Sequence, residues 1–424
     1  MNRITQKFTV TNFNKFKTQM LGWANRFNIC VFLDNHQYKS AHHTVECLVA
    51  VNVVNSFTET NTLKNYLKHE NDWLFGHVGY DFKNEIHNLT STNPDGIGFP
   101  DIFFFQPQIV IELKQHEVII SCINAKPQNI FEEISKSIIH NSQFTTLNSI
   151  QLKQKISKQE YIEIIKKIRN HILRGDCYEL NFCMEFFAEN VLLNTINVYN
   201  KLVDISPVPF AAYYKLNDKF LLCASPERYI QKKQNTIISQ PIKGTHKRDL
   251  QNNLQDEILK QQLQQSEKDR SENVMVVDLV RNDLSKICKQ GSVAVTELFG
   301  VYTFPQVHQL ISTIKGELKE DIDFVDVLKA TFPMGSMTGA PKLKVMQLTE
   351  QYEQSKRGLY SGTIGYIKPN KDFDFNVVIR SIQYNQTNKY LSFQVGGGIT
   401  FNSNAEQEYE ECLLKASAIM QVLK

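Results

Sequence analysis

A chain of 424 residues is longer than one compact core usually supports, so its length predicts two packed portions. Apolar residues make up 42% of the chain and charged residues 21%, a balance typical of globular proteins that excludes extensive disorder. The net charge of +3 is too small to attract nucleic acid or an anionic membrane, so any recognition of anions must be local.

Cysteine usage and the N-terminal segment predict a cytoplasmic protein. The eight cysteines form no C-x-x-C pair and have no clustered histidines, which argues against a zinc site or a disulfide framework. Residues 1–17 lack the apolar run of a signal peptide, and apolar segments such as residues 47–51 are far too short to span a bilayer. The sequence therefore predicts neither secretion nor membrane insertion.

Apolar segments with period-2 alternation recur along the chain and are joined by short polar turns. The clearest pairs are residues 109–113 with 118–123, 211–216 with 220–224, and 377–384 with 390–395. Connections this short can join only antiparallel strands, because a parallel pair needs a crossover of about a dozen residues. The sequence therefore predicts largely antiparallel sheets.

Helical patterns lie between these hairpins. The clearest helix follows a capping box formed by Ser157 and Glu160 and ends at Gly175. Two more helices are predicted over residues 252–283 and 404–423. After a short helix from residue 129 the chain becomes polar and loses its periodicity. This change predicts a boundary near residue 145, between an N-terminal portion (1–145) and a motif-rich portion (146–424).

A lysine at the end of one strand is the first candidate for chemistry. Lys243 lies between an apolar residue and the pair Gly244 and Thr245. A lysine amine becomes a nucleophile only where burial or neighbouring cations lower its pKa. An exposed loop lysine explains the pattern equally well, and the position alone does not separate the two.

Two helical segments each carry a pair of carboxylates three residues apart, Asp269 with Glu272 and Glu408 with Glu411. This spacing places both members of a pair on one helical face. Four carboxylates from two helices could hold one Mg²⁺ ion, which prefers oxygen ligands. Solvated acidic faces are the simpler explanation, and Glu411 could pair with Lys415 one turn later.

Two glycine-rich segments are candidates for close backbone approach to a ligand. Residues 332–342, FPMGSMTGAPK, precede a helical pattern and could aim free N–H groups at a carboxylate, although an ordinary helix cap explains them too. Gly396, Gly397 and Gly398 follow a strand, where glycines weaken pairing. Either a β-bulge or close approach to another group would account for them.

In this order along the chain, the segments resemble the chorismate-binding enzyme family, which includes anthranilate, aminodeoxychorismate, isochorismate and salicylate synthases. The resemblance is strong over roughly residues 155–424 and vague before that, at residues 73–81. It is carried by residues 175–178, 225–228, 241–245, 272–283, 307–309, 335–342, 357–366 and 396–411. It implies an α+β fold of two antiparallel sheets packed as a sandwich, with surrounding helices and an active site in the C-terminal portion.

The residue before Gly244 separates branches of this family. Aminodeoxychorismate synthases typically have Pro-Ile-Lys-Gly-Thr and anthranilate synthases Pro-Ile-Ala-Gly-Thr, so Lys243 favours the first branch. Isochorismate and salicylate synthases have a water-activating lysine where this chain has Glu179, which disfavours that branch. Glu179 is also a departure, because the amino-transferring branches more often have glutamine there.

The resemblance implies a transferase that converts chorismate and ammonia to 4-amino-4-deoxychorismate, for 4-aminobenzoate and folate synthesis. It implies that Lys243 attacks C2 of the ring while Glu227 protonates the departing C4 hydroxyl. It also implies Mg²⁺ on Glu272 and Glu411, with Asp269 and Glu408 nearby. The remaining substrate contacts implied are Arg380 and Tyr360 at the enolpyruvyl carboxylate, and Gly396, Gly398, Ser336, Thr338, Lys342 and His308 around the ring.

Ammonia is expected from a partner, since none of the cysteines lies in a Gly-x-Cys-x-Gly segment typical of a glutaminase nucleophile. The resemblance therefore implies a separate glutamine amidotransferase subunit. Two alternatives stay open: an anthranilate synthase, which would release a different product, and a non-catalytic chorismate-binding regulatory protein, which would show no turnover.

Overall fold

The computed structural model describes residues 2–38, 41–43, 45–137 and 150–424, so the boundary predicted near residue 145 lies outside the described residues. The strands within these ranges are β1 (Ile4–Thr9), β2 (Ile29–Asp34), β3 (Cys47–Phe57), β4 (Leu74–Val78), β5 (Ile102–Lys114), β6 (Glu117–Cys122), β7 (Lys153–Gln154), β8 (Glu179–Ala188), β9 (Phe210–Leu216), β10 (Lys219–Ser225), β11 (Arg228–Lys233), β12 (Thr236–Gln240), β13 (Ile242–Lys247), β14 (Ala294–Thr303), β15 (Val307–Glu317), β16 (Gly339–Ala340), β17 (Thr363–Ile367), β18 (Phe373–Asn376), β19 (Ser381–Asn385) and β20 (Tyr390–Ile399).

Helices fill most of the remaining described residues. They are α1 (Phe13–Ala24), α2 (Thr60–His69), α3 (Lys83–His87), α4 (Pro127–Lys136), α5 (Lys158–Leu173), α6 (Thr195–Ile205), α7 (Asn253–Gln265), α8 (Glu267–Ile287), α9 (Phe324–Thr331), α10 (Lys342–Tyr352) and α11 (Ala405–Leu423), with short 3₁₀ turns at Tyr80–Phe82 and Gly335–Met337. None of the helices in the described ranges is long and apolar enough to cross a membrane.

The three predicted hairpins are confirmed: β5 pairs with β6, β9 with β10, and β19 with β20, all antiparallel. The capping box of α5 is also confirmed, since the Ser157 hydroxyl accepts from the Glu160 N–H and the Glu160 carboxylate accepts from the Ser157 N–H. The single helix predicted over residues 252–283 is two helices. Ser266 ends α7 and caps α8, because its side chain accepts from the N–H of Asp269.

The sheet has two arms that share the long strand β5. One arm runs β1, β6, β5, β3, β2, β9, β10, β19, β20, β8. The other runs β5, β4, β17, β18, β11, β12, β15, β14, and β13 also pairs with β15. The predicted antiparallel α+β class is confirmed, and the two layers are arms of one hydrogen-bonded sheet.

Period-2 alternation distributes the strand side chains between inner and outer cores. On β2, Val31 joins an apolar cluster that also contains Phe75 and Tyr366 of the other arm. Its neighbours Cys30 and Phe32 face a second cluster with α1, α5, α6 and α11. A third cluster packs α8 and α9 on the other arm. Each arm is therefore covered by helices on its outer face and by the other arm on its inner face.

Strands from the N-terminal portion pair directly with strands of the motif-rich portion. β2 pairs with β9, and β4 pairs with β17. The two portions of the sequence thus complete one sheet, and the motif-rich strands depend on this pairing for their backbone hydrogen bonds.

Candidate active site

Three strands distant in sequence bring Glu179, Lys243 and Gly398 together. Lys243 Nζ lies 2.6 Å from Glu179 Oε1, and both side chains are buried. Gly398 faces this pair, since a Cβ built on it would lie 2.4 Å from Glu179 Oε1 and 2.7 Å from Lys243 Nζ. β20 pairs with β8 in unbroken register through the three glycines, so the close approach, rather than a bulge, explains Gly398.

Gly398→Ala is expected to abolish most turnover with little loss of folded protein, because the new methyl group would displace the Lys243 amine. Gly397→Ala is the matched control on the same strand, where the added Cβ would come no closer than 3.3 Å to a carboxylate oxygen of Glu408. The measurement is turnover of chorismate, the substrate that the resemblance implies, beside the thermal midpoint of each variant. Equal turnover in the two variants would show that the space beside Lys243 is unimportant.

The backbone around Lys243 is fixed from two sides. Asn273 Nδ2 donates to the Lys243 carbonyl at 3.4 Å, and Ser312 Oγ donates to Asn273 Oδ1 at 2.6 Å. Gly244 has φ +96°, a left-handed conformation that glycine adopts without strain, and a Cβ there would lie 3.0 Å from the Cβ of Asp269. This left-handed backbone explains why β13 needs a glycine directly after Lys243.

Lys243 is only 9% exposed, so it is not an exposed loop lysine. Burial acts to lower its pKa, but the carboxylates of Glu179 and Glu272 outweigh that effect and hold the pKa above its ordinary value. The amine is therefore an ammonium in the ligand-free site, and it must lose a proton before it can act as a nucleophile.

Glu227, in the turn between β10 and β11, is the second buried ionisable group. Ser336 Oγ donates to Glu227 Oε1 at 2.6 Å. Burial raises the pKa of Glu227 to about 7, although the hydrogen bonds from Ser336 and the Ile242 backbone and the charge of Lys243 oppose the shift. A carboxyl group with this pKa is about half protonated at neutral pH, as a general acid requires.

The loop at Ser336 is held in place by buried polar contacts. Asn181 Nδ2 donates to the Ser336 carbonyl at 3.2 Å, and Arg357 Nη1 donates to the Met337 carbonyl at 2.8 Å. Arg357 also bonds the Asn181 carbonyl and pairs with Glu353 at 2.6 Å. The Arg357 guanidinium therefore fixes the loop that orients Glu227 against strand β8.

Two residues expected at the substrate have other partners. The hydroxyl of Thr338 donates to the Met334 carbonyl at 3.1 Å, its N–H donates to the Gly335 carbonyl, and its carbonyl accepts from the Asn181 N–H. Lys342 Nζ lies 2.6 Å from Asp283 Oδ2 and 3.2 Å from the Thr331 carbonyl. Its positive charge is thus largely neutralised within the protein.

His308 lies on β15 with both ring nitrogens engaged. Nε2 lies 3.0 Å from Asp256 Oδ1 and Nδ1 lies 3.0 Å from Thr303 Oγ1. Its buried neighbour Gln309 has a side-chain carbonyl oxygen with no hydrogen-bond partner among the described residues. Sequence analysis did not select Gln309, although it lies in a segment that carries the family resemblance.

Arg380 lies directly before β19 and Tyr360 shortly before β17. The guanidinium of Arg380 has no hydrogen bond or ion pair within the described ranges, and it lines a pocket with Pro226 and Gln309. The Tyr360 hydroxyl has a weak contact of 3.9 Å from Cys183 Sγ. An unpaired guanidinium beside the Glu227 turn is suited to bind a carboxylate through its two-pronged donor geometry.

The four carboxylates predicted to hold magnesium do not form a cluster. Among the residues the structure describes, no group of three or more His, Cys, Asp or Glu is arranged for a metal. Lys268 Nζ lies 3.6 Å from Glu408 Oε1 and 4.0 Å from Glu272 Oε1, and Lys415 lies 2.8 Å from Glu411. The reason is electrostatic, because carboxylates repel one another and ammonium groups lie beside them here.

One carboxylate nevertheless fits a divalent cation. Glu272 Oε1 is buried and has no hydrogen-bond partner within the described part of the chain. Burial raises the pKa of Glu272 to about 7, against the opposing charge of Lys243. A buried carboxylate oxygen that accepts no hydrogen bond is costly unless it binds a cation. The Glu272 oxygen therefore suits a hard metal ion as a ligand.

A buried lysine, a carboxyl group with a raised pKa and a closely approaching glycine of β20 together form a candidate enzyme active site. A family model described as chorismate binding enzyme matches residues 23–421. The chain belongs to the chorismate-binding enzyme family.

Relatives within this family include several aminodeoxychorismate synthases. The chain is 31% identical over 381 residues to aminodeoxychorismate synthase component 1 of Bacillus subtilis, covering 86% of this chain and 80% of that protein. It is 40% identical over 294 residues to a probable chloroplastic aminodeoxychorismate synthase of Oryza sativa, covering 68% of this chain but only 32% of the rice protein. It is also 30% identical over 370 residues to anthranilate synthase component 1 of Aquifex aeolicus, covering 83% and 74% of the two chains.

Solved structures agree on the fold. Anthranilate synthase component I of Streptococcus pneumoniae superposes with a TM-score of 0.78 at 25% identity, covering 91% of this chain and 95% of that one. The isochorismate synthase MenF of Escherichia coli superposes with a TM-score of 0.80 at 17% identity, covering 100% and 94%. The second likeness concerns the fold alone.

Proposed function

We propose that this chain is the chorismate-aminating component of an aminodeoxychorismate synthase, which converts chorismate and ammonia to 4-amino-4-deoxychorismate for 4-aminobenzoate and folate synthesis. The observation that carries the proposal is the buried Lys243 amine, beside Glu179 and close enough to Glu227 to affect its pKa. An anthranilate synthase has alanine at this position and would need no such amine. The relatives named aminodeoxychorismate synthase support the same choice.

Lys243 acts as a covalent nucleophile in this proposal. Its neutral amine bonds to C2 of the ring, two ring double bonds shift, and the C4–O bond breaks. Ammonia then bonds to C4, the double bonds shift back, and the bond between C2 and Lys243 breaks. The enolpyruvyl group stays on the product, because no step removes the ring proton whose loss aromatisation requires.

Glu227 protonates the C4 hydroxyl group, which then leaves as water. Its raised pKa keeps a protonated fraction at neutral pH, and Ser336 orients the carboxyl group. Arg380 and Tyr360 bind the enolpyruvyl carboxylate, while the backbones of Gly396, Gly398, Ser336 and Thr338 surround the ring. His308 and Lys342 lie at the edge of the site in this proposal, with His308 hydrogen-bonded to Asp256 and Lys342 paired with Asp283.

Glu272 and Glu411 would hold Mg²⁺, with Glu408 and Asp269 nearby. When bound, the ion would neutralise the ring carboxylate of chorismate. Lys268 and Lys415 would then exchange their present carboxylate partners for water or other groups. The unpartnered Glu272 oxygen supports this assignment.

Removal of magnesium is expected to abolish turnover and to leave the fold intact, because the three apolar clusters include none of the carboxylates that would hold the ion. Glu411→Gln should weaken Mg²⁺ binding in the same way. The test measures turnover in excess chelator and Mg²⁺ affinity by calorimetry. Circular dichroism is the control for folding. Full activity in excess chelator would contradict the assignment.

The cytoplasm is the proposed location of the protein. All eight cysteines are buried and unpaired, which suits a reducing compartment.

A glutamine amidotransferase subunit is the proposed source of ammonia in the cell. The chain alone should use ammonium salts and fail with glutamine. Addition of the amidotransferase should restore glutamine use, and glutamine-dependent turnover by the isolated chain would contradict this part of the proposal.

The function itself is tested by the product that the purified chain makes from chorismate, Mg²⁺ and an ammonium salt. The mass and ultraviolet spectrum should be those of 4-amino-4-deoxychorismate. Fluorescent anthranilate with released pyruvate would reject the proposal in favour of anthranilate synthase. No turnover, with chorismate still bound, would favour a regulatory protein.

A further inference from the structure

The carboxylate of Glu179 has no role in the chemistry described so far. It is 2% exposed and lies 2.6 Å from Lys243 Nζ through Oε1. Its other oxygen, Oε2, is buried and has no hydrogen-bond partner among the described residues. A buried carboxylate with one free oxygen is costly to maintain, which favours a function for it beyond packing.

Lys243 needs a proton acceptor within the site. Its amine lies 2.6 Å from the Glu179 carboxylate in a buried ion pair, so the resting amine carries a proton that it must lose. Glu179 is the carboxylate that shares a hydrogen bond with Nζ, whereas the Glu227 carboxyl group is bonded by Ser336. A general base must lie within hydrogen-bond reach of the proton it removes, and Glu179 meets that requirement.

We propose that Glu179 is a further catalytic residue, which takes the proton from Lys243 as the amine attacks chorismate and returns it when the amine is released. This inference rests on the proposed function. The proton moves from Nζ to a carboxylate oxygen, and the freed electron pair forms the bond to C2. When ammonia displaces the lysine, the electron pair returns to Nζ and Glu179 gives the proton back, so the pair regenerates its starting state.

Gly398 supports this assignment from the other side. Any side chain there would enter the space occupied by Glu179 Oε1 and Lys243 Nζ. β8, which carries Glu179, and β13, which carries Lys243, thus hold the acceptor and the amine in direct contact, with no room for a water molecule between the two atoms at 2.6 Å. The proton transfer therefore needs no relay.

The test measures the rate at which the Lys243 adduct forms when chorismate and Mg²⁺ are mixed with enzyme in the absence of ammonia. Glu179→Gln keeps the size and removes the base, and it installs the residue that the amino-transferring branches more often have. Adduct formation should therefore slow by roughly 10²-fold, the lower end of general-base catalysis. Glu179→Ala should slow equally and regain at least about tenfold with added formate, which can enter the space left by the side chain. Formate should not rescue Glu179→Gln, whose side chain fills that space.

Glu185→Gln is the matched control, because Glu185 is a buried carboxylate on the same strand that accepts hydrogen bonds from Ser392 and Tyr390. This variant should form the adduct at the wild-type rate. Wild-type adduct formation by Glu179→Gln would overturn the inference, as would a slow Glu179→Ala variant that formate does not rescue. If either result is obtained and the wild-type chain still aminates chorismate, the proposed function stands and only the role of Glu179 is rejected. If the wild-type chain produces anthranilate, both the proposed function and the role of Glu179 are rejected.

Discussion

Replacement of Lys243 by alanine is expected to slow amination of chorismate by on the order of 10³-fold, or about 4 kcal/mol of the activation barrier. The variant removes the nucleophile and leaves Glu272 and Glu411 in place, so chorismate and Mg²⁺ should still bind. The loss should therefore appear in kcat and much less in KM. Initial rates with saturating ammonium salt measure it.

Lys232→Ala is a suitable control for this variant, because Lys232 lies on β11 and pairs with Asp372 away from the site. It should turn over chorismate at close to the wild-type rate. A Lys243→Ala variant with wild-type kcat would show that the amination does not pass through the lysine. The choice between the two amino-transferring branches would then lose its structural basis.

The pH dependence of turnover is expected to follow Glu227. The protonated carboxyl group is the active form, so kcat/KM should fall as the pH rises through about 7. Glu227→Gln should remove this limb and lower the rate by roughly 10²- to 10⁴-fold, the range of general-acid catalysis. A pH–rate profile of both proteins is the measurement.

Ser336 offers an independent check on the same limb. Its hydroxyl donates to the Glu227 carboxylate and thereby lowers the pKa of Glu227. Ser336→Ala should raise that pKa and move the descending limb to higher pH. If the descending limb stays at the same pH in Ser336→Ala and persists in Glu227→Gln, the titration belongs to another group.

Local patterns were sufficient for the hairpins and for the ends of α5 and α11. The β9–β10 hairpin follows from alternation around a short turn, and α5 from its capping box. The break at Ser266 was missed because the helical pattern continues across it. The sharing of β5 between two arms was also missed, since strand pairing over long sequence separations leaves no local signal.

The site was predictable in its residue types and less so in its contacts. The resemblance selected Lys243 and Glu227, but their burial depends on strands far apart in the chain. The pairing of Glu179 with Lys243 joins residues 64 positions apart, and no spacing rule indicates it. Lys268, which lies beside both Glu272 and Glu408, was missed because a lysine within an acidic helix face resembles ordinary surface pairing.

The central claim is that the Lys243 amine becomes covalently bonded to the substrate ring. Wild-type enzyme mixed with chorismate and Mg²⁺, quenched without ammonia and digested with a protease, should yield a peptide containing residue 243 that carries the mass of chorismate less one water molecule. The adduct should disappear on addition of ammonium salt, as 4-amino-4-deoxychorismate is formed. Continued amination with residue 243 unmodified under every quench condition would contradict the account.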